Sequence, residues 1–496
     1  MKSDRFKPSS QTIVLLSLLF SSLLFYALFW SGHHYSIDGV VMFQYAKALL
    51  FQRSFVMTPP VVWGDFSFTV SKWAIGMSLA YIPILALLAA TIYRGDPTFQ
   101  QIPYQPGNPF NIELLINEPY RASSWLNPLV TATTVLILYL LARRLKMPAN
   151  RAYLASLLLG IASPAAVYAK FDFAQPLAAL LLLLTLLFML HWHGHRPFWL
   201  VLAGFCLGLA SLTRTEFLLF PAPFLAATVF FLPQTEGNWS FWSQDRLRNG
   251  LLFTTPVGLF VLVHLYLNQI RFGSLLSVGY SPTSEFNFTP VHIIIAFIGN
   301  LFSPGRGCIV FFPLTLFAGW GLVSLFRKDR WAAYLLGGTT IGLMLLYATW
   351  NDWGGGISWG PRFLIPILPY LVLLGVQGFF SLRWPMNWLR TVVFILFILS
   401  GFVATLQGLL FNFLDFFGQA QLTPEQVVTG YYNFQFQYSP LFASWQGLTT
   451  PEQWDIFWLR SSESQPVFLM TAVICIILLS FTISRGRDHA NSITNS

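Results

Sequence analysis

Trp331-Ala-Ala-Tyr-Leu-Leu-Gly-Gly-Thr-Thr-Ile-Gly-Leu-Met-Leu-Leu-Tyr-Ala-Thr349 runs into Trp350-Asn-Asp-Trp353-Gly-Gly-Gly356-Ile-Ser-Trp359-Gly-Pro361-Arg362. The chain then turns apolar again as Phe363-Leu-Ile-Pro-Ile-Leu-Pro-Tyr-Leu-Val-Leu-Leu-Gly-Val-Gln-Gly-Phe-Phe380. The two flanking runs carry no charge after Arg330 until Arg383, apart from the connector between them. Each is long enough to cross a hydrocarbon core of ~30 Å as a helix. The unit is therefore two membrane helices joined by a loop rich in tryptophan and glycine.

The same pattern recurs along the chain. Apolar residues make up 55% of 496 positions and charged residues 9%, against roughly a quarter charged in a soluble domain. Spans are expected near 12–31, 123–142, 152–169, 174–190, 198–213, 217–233, 250–270, 308–326, 331–349, 363–380, 389–412 and 466–484. The fold class is all-α: a polytopic transmembrane helical bundle of about twelve spans, with interfacial helices in the first outer loop. The run from Thr12 to Ser31 follows Lys2, Arg5 and Lys7, is too long for a leader and lacks a small-x-small cleavage site, so it reads as a retained anchor. Cys206, Cys308 and Cys475 fall in or beside apolar runs, without metal-ligand spacing or a framework of loop thiols. A net charge of +9 comes with no basic cluster long enough to track a phosphate backbone, so nucleic acid is not an expected partner. Membrane orientation accounts for the charge. Segment 73–93 is apolar enough to span, but counting it puts Arg143, Arg144, Lys146 and Arg151 opposite the basic N-terminus, against the positive-inside rule. It and 291–302 are read as outer-surface helices. Both termini are then cytoplasmic, and the outer segments are 32–122, 170–173, 214–216, 271–307, 350–362 and 413–465. Three regions follow: 1–412 as the transmembrane body with outer loop 32–122, 413–465 as an outer aromatic segment, and 466–496 as the last helix and a cytoplasmic tail.

The outer segments hold the candidate chemistry. Asp38, in His33-His34-Tyr35-Ser36-Ile37-Asp38-Gly39, stands in the first turn of a helix that Ser36 can cap. It either complements the helix N-terminus or, partly desolvated at the lipid–water boundary, takes a proton from a hydroxyl. Asp172 lies two residues from Lys170, as a local ion pair or a second catalytic acid. Arg214 and Glu216 read as a buried ion pair at a helix end. Trp353 and Trp359 form either an interfacial belt or a platform for sugar or head group, with Arg362 a fixed charge beside it. Arg271 and Arg306 are further outer cations beside glycine.

Taken in order, Ser36-Ile-Asp38-Gly, Ser71-Lys72-Trp-Ala-Ile-Gly76, Gly204-Phe-Cys-Leu-Gly208-Leu-Ala-Ser-Leu-Thr-Arg214, Arg271-Phe-Gly and Gly360-Pro361-Arg362-Phe363-Leu364 resemble the GT-C membrane glycosyltransferases. Relatives of this kind include protein O-mannosyltransferases and bacterial aminoarabinose transferases. The resemblance covers roughly residues 1–412. It implies transfer of a sugar from a polyprenyl-phosphate donor to a lipid, glycan or protein hydroxyl at the outer face of the plasma (inner) membrane. It also implies Asp38 and Asp172 as catalytic, with Arg362, Arg271, Arg306, Lys72, Trp353 and Trp359 binding the donor. The chain has no Asp-x-Asp, so no cofactor or metal site is expected and use of a divalent cation is open; Asp65 and Asp172 both fit the place of a second acid. A multi-pass transporter would bring charge to the bilayer midplane or show repeats, and neither is evident; a lipid-linked polysaccharide ligase or polymerase is the other alternative.

The topology is checked by single-cysteine labelling with an impermeant reagent. Arg94→Cys is expected to react in intact cells while Lys146→Cys is protected; the reverse pattern would make 73–93 a true span.

Overall fold

The computed structural model describes residues 10–63, 66–102, 118–192, 196–220, 224, 244–279, 286–412, 416, 422, 426, 429–442, 445–459, 465–466, 469–475 and 477. Helices dominate these residues. The long ones are α1 (Ser10–Leu28), α4 (Leu126–Arg144), α7 (Gln175–Trp192), α9 (Gln244–Phe272), α12 (Arg330–Ala348), α13 (Leu368–Ser381) and α14 (Asn387–Leu410). Between them come α2 (Ile37–Lys47), α3 (Gly76–Ala90), α5 (Ala149–Ile161), α6 (Pro164–Lys170), α8 (Phe198–Thr213), α10 (Pro290–Phe302) and α11 (Ala318–Phe326). Among the described residues, seven helices are long and apolar enough to cross a membrane, α13 being counted with the turn from Arg362 before it, or eight when the bent pair α5 and α6 counts as one span. The expected spans 217–233 and 466–484 lie mostly outside the described residues.

Three expected spans are interrupted, each at a proline. Segment 152–169 bends by 46° between α5 and α6, where Ser163 accepts from the Ala165 N–H and Pro164 starts the next helix. Segment 308–326 breaks at Phe312-Pro313 and passes through a 3₁₀ turn, Pro313–Phe317, into α11. Arg362–Ile367 is likewise a 3₁₀ turn, with Pro366 inside it, leading into α13. Proline lacks the N–H that an α-helical interior needs. Elsewhere the helices pack closely through small residues: a Cβ on Gly378 would sit 1.9 Å from the Phe317 carbonyl oxygen and one on Gly321 1.9 Å from that of Leu374. Among the described residues, Val61–Trp63 pairs antiparallel with Phe66–Phe68, which the sequence pattern did not suggest.

α3 packs on α2, through Ser78 Oγ donating to the Met42 carbonyl at 2.8 Å. The chain beyond it turns back at once: Tyr93 stacks on Phe99, Phe99 meets Phe51 and the Lys47 ammonium donates to the Gln101 carbonyl. α10 lies on α12 as a short amphipathic helix, burying His292, Ala296, Gly299 and Asn300 while Val291 and Ile294 stay exposed.

Helix ends gather at two ends of the bundle. One holds the basic turns, where Arg144 donates to the Leu190 carbonyl and the Arg151 guanidinium lies over Phe380. The other holds the first loop, the Trp-Gly loop and the C-terminal segment 430–459, which wraps back onto the bundle rather than standing apart. There Ser439 donates to the Pro304 carbonyl (2.6 Å), the Phe457 N–H to Trp30 (2.8 Å) and Trp458 Nε1 to Ala27 (2.7 Å). It is also tied by Asp455, which meets His33 Nε2 at 2.9 Å and Lys170 Nζ at 3.3 Å and accepts from the Tyr35 hydroxyl.

Burial alone would raise the Asp455 carboxyl, but Lys170 and His33 beside it hold it well below the usual carboxylate range. A carboxyl depressed in the folded state contributes stability that is complete above the unfolded value of about 3.9 and is lost as pH falls below it. Asp455→Asn leaves the Lys170 ammonium buried without its counter-charge, at a cost of about 3–5 kcal/mol. The variant is expected to melt well below the wild type at neutral pH, with the gap narrowing under acid. Equal melting temperatures at neutral pH would contradict the pairing.

Candidate functional site

Ser36 caps α2 by accepting from the Gly39 N–H at 2.9 Å. Asp38, in the first turn, is thereby free of the capping role and points to another partner: its Oδ2 accepts from Arg362 Nη2 at 2.5 Å. Arg362 reaches it because the Trp-Gly loop folds back through left-handed backbone at Gly355, Gly356 and Gly360 (φ +84°, +65° and +55°), a conformation glycine adopts without steric cost. Its guanidinium also donates to the Gly355 carbonyl at 3.1 Å and lies 3.9 Å from the centre of the Phe173 ring. Five donors in a fixed plane allow one arginine to serve all of these at once.

The pair opens on a narrow cleft between the starts of α2 and α7 and the end of α8. Across it stands the second ion pair. Arg214 Nε and the Tyr347 hydroxyl both donate to Glu216 Oε1, so the expected Arg214–Glu216 pair is present. Gln175, at the start of α7, joins the two halves: with its amide turned to satisfy both neighbours, its oxygen accepts from Arg214 Nη1 at 2.7 Å and Arg362 Nε at 3.1 Å. Two carboxylates, two guanidiniums and one amide thus line a single cleft together with Trp73. Gln175 and Tyr347 carried no signal in the sequence, since each sits in an apolar run and gains meaning only from its partners.

Asp172 does not share the cleft. It is 1% exposed and pairs not with Lys170 but with the first loop. His34 Nδ1 meets its Oδ2 at 2.7 Å, and the Tyr35 N–H and Ser36 hydroxyl reach its Oδ1 at 3.2 Å. Burial lowers the His34 ring's affinity for a proton more than Asp172 raises it, so a neutral ring donates from Nδ1. A Cβ at Gly39 would stand 1.8 Å from Asp172 Oδ2, which makes that glycine the space through which the carboxylate reaches the loop. Asp172 therefore fixes the segment that presents Asp38.

The other candidates separate by depth. Arg306 is fully buried, with its guanidinium on the Ser358 and Gly356 carbonyls, both at 2.6 Å; it ties 303–307 to the Trp-Gly loop. Trp353 and Trp359, considered above as a stacking platform, have no exposed surface. Trp353 fills the space over Gly299 and Gly430, and Trp359 that beside Gly408, so both indoles are core. Arg271, at the end of α9, donates to the Trp73 carbonyl at 2.9 Å and that of Ser71 at 3.3 Å. Lys72 stands 5.0 Å from the Trp73 ring. These two cations adjoin the cleft wall that Trp73 forms. Among the described residues, no three His, Cys, Asp or Glu side chains come within reach of one metal ion.

Residues 112–261 match the family described as dolichyl-phosphate-mannose-protein mannosyltransferase. No curated protein compared with the chain matches it by sequence. Among solved structures, ArnT from Cupriavidus metallidurans bound to undecaprenyl phosphate superposes with a TM-score of 0.52 at 14% identity, covering 97% of this chain and 75% of that one. The Archaeoglobus fulgidus oligosaccharyltransferase in the apo form gives 0.53 at 12% identity, over 87% of this chain and 60% of that one. Archaeal oligosaccharyltransferase AglB, also from A. fulgidus, in complex with an inhibitory peptide and a dolichol-phosphate, gives 0.51 at 11%, over 80% and 56%. This chain thus spans three quarters of the ArnT chain and less than two thirds of the oligosaccharyltransferases. The multi-pass helical bundle has the fold of the GT-C membrane glycosyltransferases and carries, over residues 112–261, the sequence pattern of the dolichyl-phosphate-mannose-protein mannosyltransferases.

Proposed function

We propose that this protein transfers a sugar from a polyprenyl-phosphate carrier to an acceptor hydroxyl, with the cleft beside Asp38 as its active site. The observation that carries this is the Asp38–Arg362 contact of 2.5 Å at the cleft edge: a carboxylate suited to take a proton lies against a guanidinium suited to hold phosphate. A site with a base at one wall and cations at the others matches what such a reaction requires. The sugar leaves from a phosphate of low basicity, so its departure needs stabilised charge rather than a proton. The fold likeness to ArnT, whose solved structure holds undecaprenyl phosphate, and to AglB, with its dolichol-phosphate, supports the same carrier class.

In this reading the donor phosphate enters over Arg362 and displaces Asp38 from it. The freed carboxylate takes the proton of the acceptor hydroxyl; that oxygen bonds to the anomeric carbon as the carbon–oxygen bond to phosphate breaks, and the electron pair departs with the lipid phosphate. Arg362 holds the charge that grows there, Arg214 faces it across Gln175, and Lys72 and Arg271 attract the phosphate from the side of Trp73. Asp172 acts as a positioning residue through Ser36 and the backbone of Tyr35. Residues 1–412 make the catalytic body, and the described residues between 430 and 459 lie at the end that holds the site. That end faces away from the cytoplasm, in the plasma (inner) membrane with both termini cytoplasmic, because the basic turns gather at the other end. The acceptor is a lipid, a glycan or a protein.

The test uses a panel of radiolabelled polyprenyl-phosphate sugars with the purified chain. Asp38→Asn is expected to lower turnover by roughly 10²–10⁴-fold with donor affinity kept. Arg362→Lys, which loses the planar pair of donors, is expected to weaken both donor binding and maximal rate. Near-normal turnover in Asp38→Asn, or full activity in Arg362→Lys, would refute the assignment.

A further inference from the structure

A second cavity opens at the basic end of the bundle, where α4, α7 and α11 finish. Arg144, Lys146 and Lys328 line it, with Asp329 as its one carboxylate and Leu190 and Leu325 as its apolar wall. Asp329 is already engaged, since its Oδ1 accepts from the Ala332 N–H at 2.9 Å as the cap of α12. Arg144 is fixed at the wall by its 2.7 Å bond to the Leu190 carbonyl. Lys146 and Lys328 have no carboxylate within ion-pair distance among the described residues. Cations near helix C-termini often serve the terminal carbonyls, and Arg143 does so at Met147 (2.6 Å); the two lysines make no such bond among the described residues.

Lys146 also stands in left-handed backbone (φ 57°), at the turn after α4 where glycine is the favoured residue. A lysine there keeps a charge at the cavity against the local backbone preference. On the adjoining α11, Val323 and Phe326 are exposed (52% and 48%), which offers apolar surface beside the cations. We propose that this cavity binds a phosphate anion, supplied by the head group of an acidic phospholipid whose acyl chain lies along the exposed side of α11. Basic pockets between helices at the cytoplasmic end of membrane proteins take lipid phosphates in this way.

Native mass spectrometry of the purified full chain, titrated with phosphatidylglycerol or phosphatidylcholine, tests it. One phosphatidylglycerol is expected to be retained in preference to phosphatidylcholine, and Lys146→Gln with Lys328→Gln to weaken it on the order of tenfold. Arg383→Gln with Arg390→Gln, near the same end but outside the cavity, is expected to leave it unchanged. Equal losses in both pairs would mean diffuse surface charge, and no loss in the lysine pair would mean no site; either overturns the proposal. Inorganic phosphate in excess is expected not to displace the lipid; displacement would assign the cavity to a free phosphate and overturn the lipid assignment. A thermal melt of each variant separates lost binding from lost folding.

Discussion

A charged side chain at the end of an apolar bundle has little water to solvate it, so it must find a counter-charge or hydrogen-bond partners inside the protein. That requirement organises the whole site end of this molecule. Asp38 meets Arg362 and Glu216 meets Arg214. Asp172 meets His34, and Asp455 meets His33 and Lys170. Each pair joins segments far apart in sequence, except Arg214 with Glu216. The loops are held in place less by their own turns than by these crossings.

The pairs divide by depth into two kinds. Those around Asp172 and Asp455 are sealed, with protein groups on every carboxylate oxygen, and they fix the backbone of 33–39. Those around Arg362 and Arg214 border the cleft, where, on the proposed function, an arriving anion exchanges for a carboxylate. Rigidity beneath and exchangeable partners above are what a site needs if it is to present a base and a phosphate clamp at fixed separation. The Gln175 amide between the two guanidiniums links the halves, so a change at one is felt at the other.

Much of this was legible in the sequence. Long uncharged runs imposed the membrane bundle, and Asp38 and Arg362 stood out because charge is scarce and both lie where apolar runs begin. What could not be read depends on distant contacts. Trp353 and Trp359 suggested a binding platform, but Gly299, Gly408 and Gly430 leave room for their rings in the core. Arg306 was expected, from the resemblance, to bind the donor, and its guanidinium holds the Gly356 and Ser358 carbonyls. Asp455 lies 422 residues from His33, a separation over which no local pattern carries information. The breaks at Pro164 and Pro313 were visible as prolines, yet apolar composition alone reads straight through them.

On the proposed function, Asp38 and Arg362 part when the carrier phosphate arrives. A structure of the chain with a polyprenyl phosphate bound, determined in a lipid environment, measures this directly. Phosphate oxygens are expected on the Arg362 guanidinium, with the Asp38 carboxylate turned into the cleft and no longer in contact with it. A phosphate seated elsewhere, with the Asp38–Arg362 pair intact, would rule this exchange out.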